Sequence, residues 1–141
     1  FFTVDYITGC AMLIKKEVIE KIGLLSEDYF LYYEDTDYCL KAKNLGWQSI
    51  MAAESHIWHK VSHSTKEFSP SYLYYHARNE LIMSRRNNSW GKVIILYLFS
   101  FCIFLKQILK YCFIPRRKEW AKMTMQGIHD FWRGKTGKFV A

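Results

Sequence analysis

At 141 residues, half of them apolar and 18% aromatic, the chain is too rich in core-forming side chains to be disordered, and its length fits one domain. The net charge of +7 hides two unlike parts: residues 1–65 hold six Lys and Arg against nine Asp and Glu, and residues 66–141 hold fourteen against four. Only the second part is therefore expected to meet an anionic partner, either membrane headgroups or nucleic acid.

Phe1 to Tyr6 lack a Met, a basic leader and a cleavage site, so the sequence is expected to begin within a fold rather than at a signal peptide. Phe2 to Tyr6 alternate as a strand would, and Cys10 to Ile14 read as a short buried strand after Gly9. In KKEVIEKIG, Val18, Ile19 and Ile22 share one face and Gly23 stands at the C-cap, which predicts a helix over Lys16 to Ile22. Leu24 to Tyr33 is irregular and aromatic. Thr36 is the expected N-cap of a helix over Asp37 to Leu45, closed by Gly46.

Trp47 to Ala53 and Ser55 to His59 read as two short extended segments, and the Ser- and Thr-rich stretch Val61 to Ser71 as the loop dividing a first part, 1–65, from a second, 66–141. Helical spacing of Leu73, Ala77, Leu81 and Ile82 predicts a helix over Tyr72 to Arg86, ended by Asn87, Asn88 and Ser89. Val93 to Leu105 carries no charge, and its apolar character continues to Ile114 before Pro115 and the cluster Arg116 to Lys118. Thirteen uncharged residues fall short of the roughly twenty that cross a bilayer, so an interfacial or half-inserted helix is expected over 93–114. A basic tail with Gly127, Gly134 and Gly137 follows. Cys10, Cys39, Cys102 and Cys112 form no CxxC pair and lie in apolar runs, so neither a disulfide nor a zinc site is expected.

The segment richest in chemistry is Glu34, Asp35 and Asp37, three carboxylates within four positions behind the aromatic run Tyr29 to Tyr33. Like charges this close raise one another's pKa unless they are exposed, capped or paired, and a partly desolvated carboxylate is what a general base requires. A capping cluster on a surface helix is the plainer alternative. His59 and His63, four apart, could serve a metal or be surface histidines. Trp90, Tyr97, Phe99, Phe101, Phe104 and Tyr111 lie among aliphatics between the basic flanks Arg85, Arg86, Lys92 and Arg116 to Lys118. Nucleic-acid binders expose aromatics on sheets, so this pattern points to an anionic membrane surface along 90–118, with a buried hairpin or a homodimer interface as the alternative and no nucleic acid expected.

The stretch VDYITGCAMLIKKEVIEKIGLLSEDYFLYYEDTDYCLKAKNLGW resembles the second half of family 2 glycosyltransferases of the GT-A, rhamnosyltransferase-like type, through Val4, Asp5, Gly9, Ala11, Ile22, Gly23, Phe30, Tyr32, Glu34, Asp35, Asp37 and Gly46. The resemblance implies an α/β fold: the acceptor-side, catalytic-base part of a GT-A domain over 1–65, with a short mixed sheet, and a mainly helical extension over 66–141. It implies inverting transfer from a nucleotide sugar to a hydroxyl acceptor, with Asp35 as the base and Glu34 and Asp37 orienting the acceptor or the base. Asp5 and Gly9 would lie near the acceptor, although a strand-edge acid and a simple turn explain them equally. His59 would reach a Mn²⁺ or Mg²⁺ ion or the diphosphate, and Arg78 and Asn79 in YYHARN match a Tyr-x-x-Arg-Asn segment that would pack the helix beneath the site, with ligand binding as the alternative. The family's donor-side Asp-x-Asp is expected to be missing, since the one such motif here is Asp35-Thr36-Asp37, so this chain alone is expected neither to hold the metal tightly nor to turn over. Cell-surface polysaccharide synthesis at the cytoplasmic membrane face is the expected setting, and a non-catalytic membrane or oligomerisation module derived from such an enzyme is the alternative.

Overall fold

Five helices and one small sheet emerge from these residues in a computed structural model that describes residues 1–60 and 66–140. Strands β1 (Phe2–Val4) and β2 (Ser49–Met51) pair antiparallel, with Thr3 opposite Ile50. Helix α1 (Lys16–Ile22) ends where Gly23 takes φ 81° and returns its N–H to the Ile19 carbonyl, as the spacing predicts. The expected strand over Cys10 to Ile14 is replaced by a single 3-10 turn at Gly9–Ala11 and unpaired extended chain. Ser55 to His59 likewise forms no strand and is exposed throughout. An extended apolar run becomes a strand only beside a partner whose N–H and C=O groups are free, and β1 and β2 satisfy only each other.

Helix α2 (Glu34–Asn44) begins three positions before its expected start. Its N-cap is Tyr33 in the left-handed region, φ 72°, and Thr36 sits inside the first turn. The sequence signal for a Thr cap loses to the preceding loop, whose conformation already delivers the chain in helical direction at Glu34. Helix α3 (Pro70–Arg86) starts as helices with Pro at N1 do, the Ser69 hydroxyl accepting from the Tyr72 N–H at 3.3 Å.

Helix α4 (Trp90–Phe113) runs 24 residues, about 36 Å, extending past the uncharged run to include Lys92, Lys106 and Lys110. By length and composition this one helix among the described residues is long and apolar enough to cross a membrane, so length alone does not separate a crossing from the expected interfacial helix. Pro115 then breaks the chain, and α5 (Lys118–Trp132) turns back along α4. Tyr29, Leu81, Ile82, Ile128 and Phe131 form the core, with Leu96, Tyr97, Ile103 and Phe104 of α4 packed against it. Each fully buried aliphatic or aromatic chain there stabilises by roughly 1.5–3 kcal/mol. Tyr29 belongs to the aromatic run before α2, so this core binds the carboxylate segment to the three long helices.

Helix α5 brings the Gly127 backbone directly against the α3 backbone. A Cβ on Gly127 would stand 2.5 Å from the Tyr74 carbonyl oxygen and 3.1 Å from the Ala77 Cβ, so only glycine permits this approach.

Candidate functional site

Three residues of the loop leading into α2 hold positive φ without being glycine: Phe30 at 62°, Tyr32 at 66° and Tyr33 at 72°. Such conformations cost on the order of 1–3 kcal/mol each and persist only where the surroundings over-determine them. Here α3 supplies the restraint. The Asn79 side-chain amide, fully buried, donates to the carbonyls of Tyr29 at 2.9 Å, Leu31 at 2.6 Å and Tyr32 at 3.1 Å, two N–H groups shared among three acceptors. Arg78, 1% exposed, donates through Nη2 to the Asp28 and Tyr29 carbonyls at 3.3 and 3.1 Å and through Nε to Asn79 Oδ1 at 2.9 Å. Its charge lies 5.2 Å from the ring centres of Tyr74 and Tyr75, and Nη1 donates to the Tyr74 hydroxyl, which itself donates to Asp130 at 2.9 Å.

Outside this clamp, Arg86 pairs with Asp28, holds its carboxyl below the usual range, and lies 5.3 Å over the Tyr29 ring. Arg86 read from sequence as part of a membrane-facing basic flank, and the fold gives it a structural partner instead.

The clamp presents Glu34 and Asp35 side by side at the start of α2. Glu34 is half-buried, its Oε2 has no hydrogen-bond partner, and burial followed by the Asp35 charge raises its pKa. Asp35 is oriented from both sides. Its Oδ2 accepts from the Gly9 N–H at 2.9 Å, and its Oδ1 accepts from the Thr36 N–H at 2.7 Å and the Thr36 hydroxyl at 3.2 Å. Gly9 and Asp35, 26 residues apart, are thus brought together. A Cβ on Gly9 would lie at ordinary contact distance, 3.7 Å, from Asp35, so space beside that residue does not by itself demand glycine.

Asp37 goes elsewhere. At 1% exposure it bonds Lys41 at 2.7 Å and accepts from the Asn87 amide at 2.7 Å, so its carboxylate fastens α2 to the end of α3 rather than opening on a pocket. Two positions along a helix rotate a side chain by about 200°, so Asp35 and Asp37 cannot chelate one ion together. The buried Tyr29 hydroxyl is pushed up by burial and by the nearby Asp37 charge. Asp5 is 90% exposed and pairs with Lys43 at 3.0 Å, in the last turn of α2, away from the two site carboxylates. His59 lies on an exposed extended segment, and His63 lies outside the described residues. Among the described residues no three His, Cys, Asp or Glu side chains converge as metal ligands would.

Sequence reasoning missed the roles of Asn87 and Arg86, whose helix-end position and positive charge suggested only a turn and a basic flank. A pair of adjacent carboxylates, one desolvated and one held by three donors, can take a proton from a hydroxyl brought against it.

Comparison with known proteins finds sugar transferases among those similar to this chain. The chain is 27% identical over 90 residues to the N-acetylglucosaminyl-diphospho-decaprenol L-rhamnosyltransferase of Mycobacterium tuberculosis, covering 63% of this chain and 29% of that protein. It is 33% identical over 96 residues to the low-salt glycan biosynthesis hexosyltransferase Agl10 of Haloferax volcanii, covering 64% and 29%. With the dTDP-rhamnosyl transferase RfbF of Shigella flexneri it shares 27% over 84 residues, covering 54% and 28%. The likeness is to family 2 glycosyltransferases. The chain spans less than a third of the length of the curated relatives it matches. No family model and no solved structure matches it.

Proposed function

We propose that this chain carries the acceptor-side, catalytic-base part of an inverting GT-A type glycosyltransferase that moves a sugar from a nucleotide-sugar donor to a hydroxyl on a sugar or lipid-linked acceptor in cell-surface polysaccharide synthesis. The observation that carries the reading is the fixed Glu34–Asp35 pair, clamped by Asn79 and Arg78 and aligned through the Gly9 N–H. The similarity to sugar transferases supports it.

In the proposed step an Asp35 oxygen takes the proton of the acceptor hydroxyl while that oxygen attacks the anomeric carbon and the nucleoside diphosphate leaves from the opposite side. Hydrogen bonds from Gly9 and Thr36 keep Asp35 aimed, and Glu34, desolvated beside it, sets the local charge and orients the acceptor. Asp37 acts one layer deeper, holding α2 in place. The basic, apolar stretch 90–118 supports work at the cytoplasmic face of an anionic membrane, where lipid-linked acceptors reside.

In the full-length enzyme, Asp35→Asn should lower kcat by roughly 10²–10⁴-fold with the circular dichroism spectrum unchanged, read as release of nucleoside diphosphate. An unaltered rate in that variant would remove Asp35 from the role. The bare apolar surface of α4 favours a second reading, a non-catalytic membrane or oligomerisation module. That reading requires Asp35→Asn to leave every function of the protein intact.

A further inference from the structure

Helix α4 has two unlike sides. Inward, Ser100 is completely buried and accepts from the Trp132 indole N–H at 2.9 Å, and Tyr97 stacks on Phe131 with ring centres 5.1 Å apart. Outward, Ile94, Ile95, Leu98, Leu105, Leu109 and Phe113 are 45–76% exposed. At 3.6 residues per turn these six fall on the half of the helix opposite Ser100. Lys92, Lys106 and Lys110 fall within about 40° of one line, along a single edge of that apolar strip. None of the three forms an ion pair among the described residues. Trp90, 87% exposed, stands at one end, and the cationic run Arg116 to Lys118 at the other.

The other flank of α4 argues against a crossing. Phe131 and Trp132 of α5 meet α4 at Tyr97, Phe101 and Phe104, and Trp120, Ala121 and Thr124 line one cleft with Gln107 and Lys110, so α5 runs beside one side of α4 from its middle towards its C-terminal end. Lys122 and His129 are exposed on α5 and Arg133 just past its end, and α3 lies behind it with the buried Arg78. Were α4 upright in a bilayer, these groups would be carried to hydrocarbon depth, where polar and charged groups are strongly disfavoured. A helix lying in the plane of the interface avoids this, immersing its apolar strip while α5 and α3 stay in water.

We infer that α4 lies flat in the interface of an anionic bilayer, with its Ile94–Leu98–Leu105–Leu109 strip in the acyl layer and its lysine row at the lipid phosphates, and does not cross. This rests on the membrane-side reading of residues 90–118 given above, and the partner it commits to is anionic lipid, on the match between the lysine row and the headgroup charge.

The test places a nitroxide at position 94, 98, 102, 105 or 109, one at a time, in the full chain with its other cysteines replaced. Collision rates with oxygen and with a water-soluble nickel chelate then give depth on vesicles of phosphatidylcholine with phosphatidylglycerol. The inference expects the same shallow depth at all five positions. A depth that peaks near 102 and falls towards both ends would mean a crossing and overturn it while leaving membrane binding intact. Nickel access unchanged by vesicles, or a spectrum altered only by a second copy of the chain, would overturn the membrane reading itself. Independently of labelling, Lys92→Gln, Lys106→Gln and Lys110→Gln together should weaken sedimentation with anionic vesicles on the order of a hundredfold and leave neutral vesicles unaffected. Equal loss on both lipids would count against the lysine row.

Discussion

Glu34 carries an unbonded buried oxygen and a raised pKa in the folded chain. For an acid whose folded value lies above its unfolded one, the fold favours the protonated form. Stability is therefore greatest below the unfolded value and is lost as pH rises through the folded one. Glu34→Gln should stabilise the protein by about 0.5–2 kcal/mol at neutral pH, and the gain should vanish towards pH ~4, as measured by urea unfolding at both conditions. On the function proposed above, Glu34→Gln should also lower transfer activity, and an unchanged rate would leave Glu34 with a structural role only. The carboxylate cluster itself was plain in the sequence, because three acids in four positions are locally conspicuous. Which acid faces where was not: taking Thr36 as the cap left Asp35 ahead of the helix and Asp37 in its first turn, whereas the earlier start at Glu34 brings all three acids into the first turn and sends Asp35 and Asp37 to opposite sides of α2. The deciding force, the Asn79 amide, lies 50 residues from the Tyr29 carbonyl it holds, and no local pattern encodes that pairing.

Among the elements, α1 and α3 were legible from period and caps, and α4 from its apolar run. Helix α5 was hidden because Gly127 reads as punctuation in a basic tail. In the fold that glycine is the contact point of α3 and α5, and its missing side chain is what the packing uses. Gly127→Ala is expected to destabilise by about 2–3 kcal/mol, because the Tyr74 carbonyl cannot yield without disturbing α3. Thermal unfolding checks this, and a variant as stable as the parent would show that the crossing opens freely. The strand expected at Cys10 to Ile14 failed for the opposite reason: its composition suits a strand, but strand formation depends on a neighbour that the residue pattern cannot supply.

For the molecule as a whole, two carboxylates tie distant parts together. Asp28 is held low by Arg86, and the Asp28 carbonyl accepts the Gly137 N–H at 2.6 Å. Burial pushes Asp130 up, but bonds from Lys135, Tyr74 and Gln126 outweigh it and leave its pKa lowered. Both contribute stability that is present above the unfolded carboxylate value and lost as pH falls through the lower folded values. Melting temperature should therefore drop between pH ~5 and ~2, and Asp130→Asn should flatten that slope while lowering stability at neutral pH. An unchanged slope would mean that Asp130 titrates alike in both states.

The amide of Asn79 has one more consequence. Because a single side chain of α3 grips the aromatic turn at three carbonyls, and α3 is locked through Gly127 to the helix lying along α4, the carboxylate ledge has no hinge of its own. Whatever surface seats α4 also fixes the height and tilt of Glu34 and Asp35 above it, so the reach of the site into its surroundings is a dimension built into the protein, like the throw of a machine tool bolted to its bed.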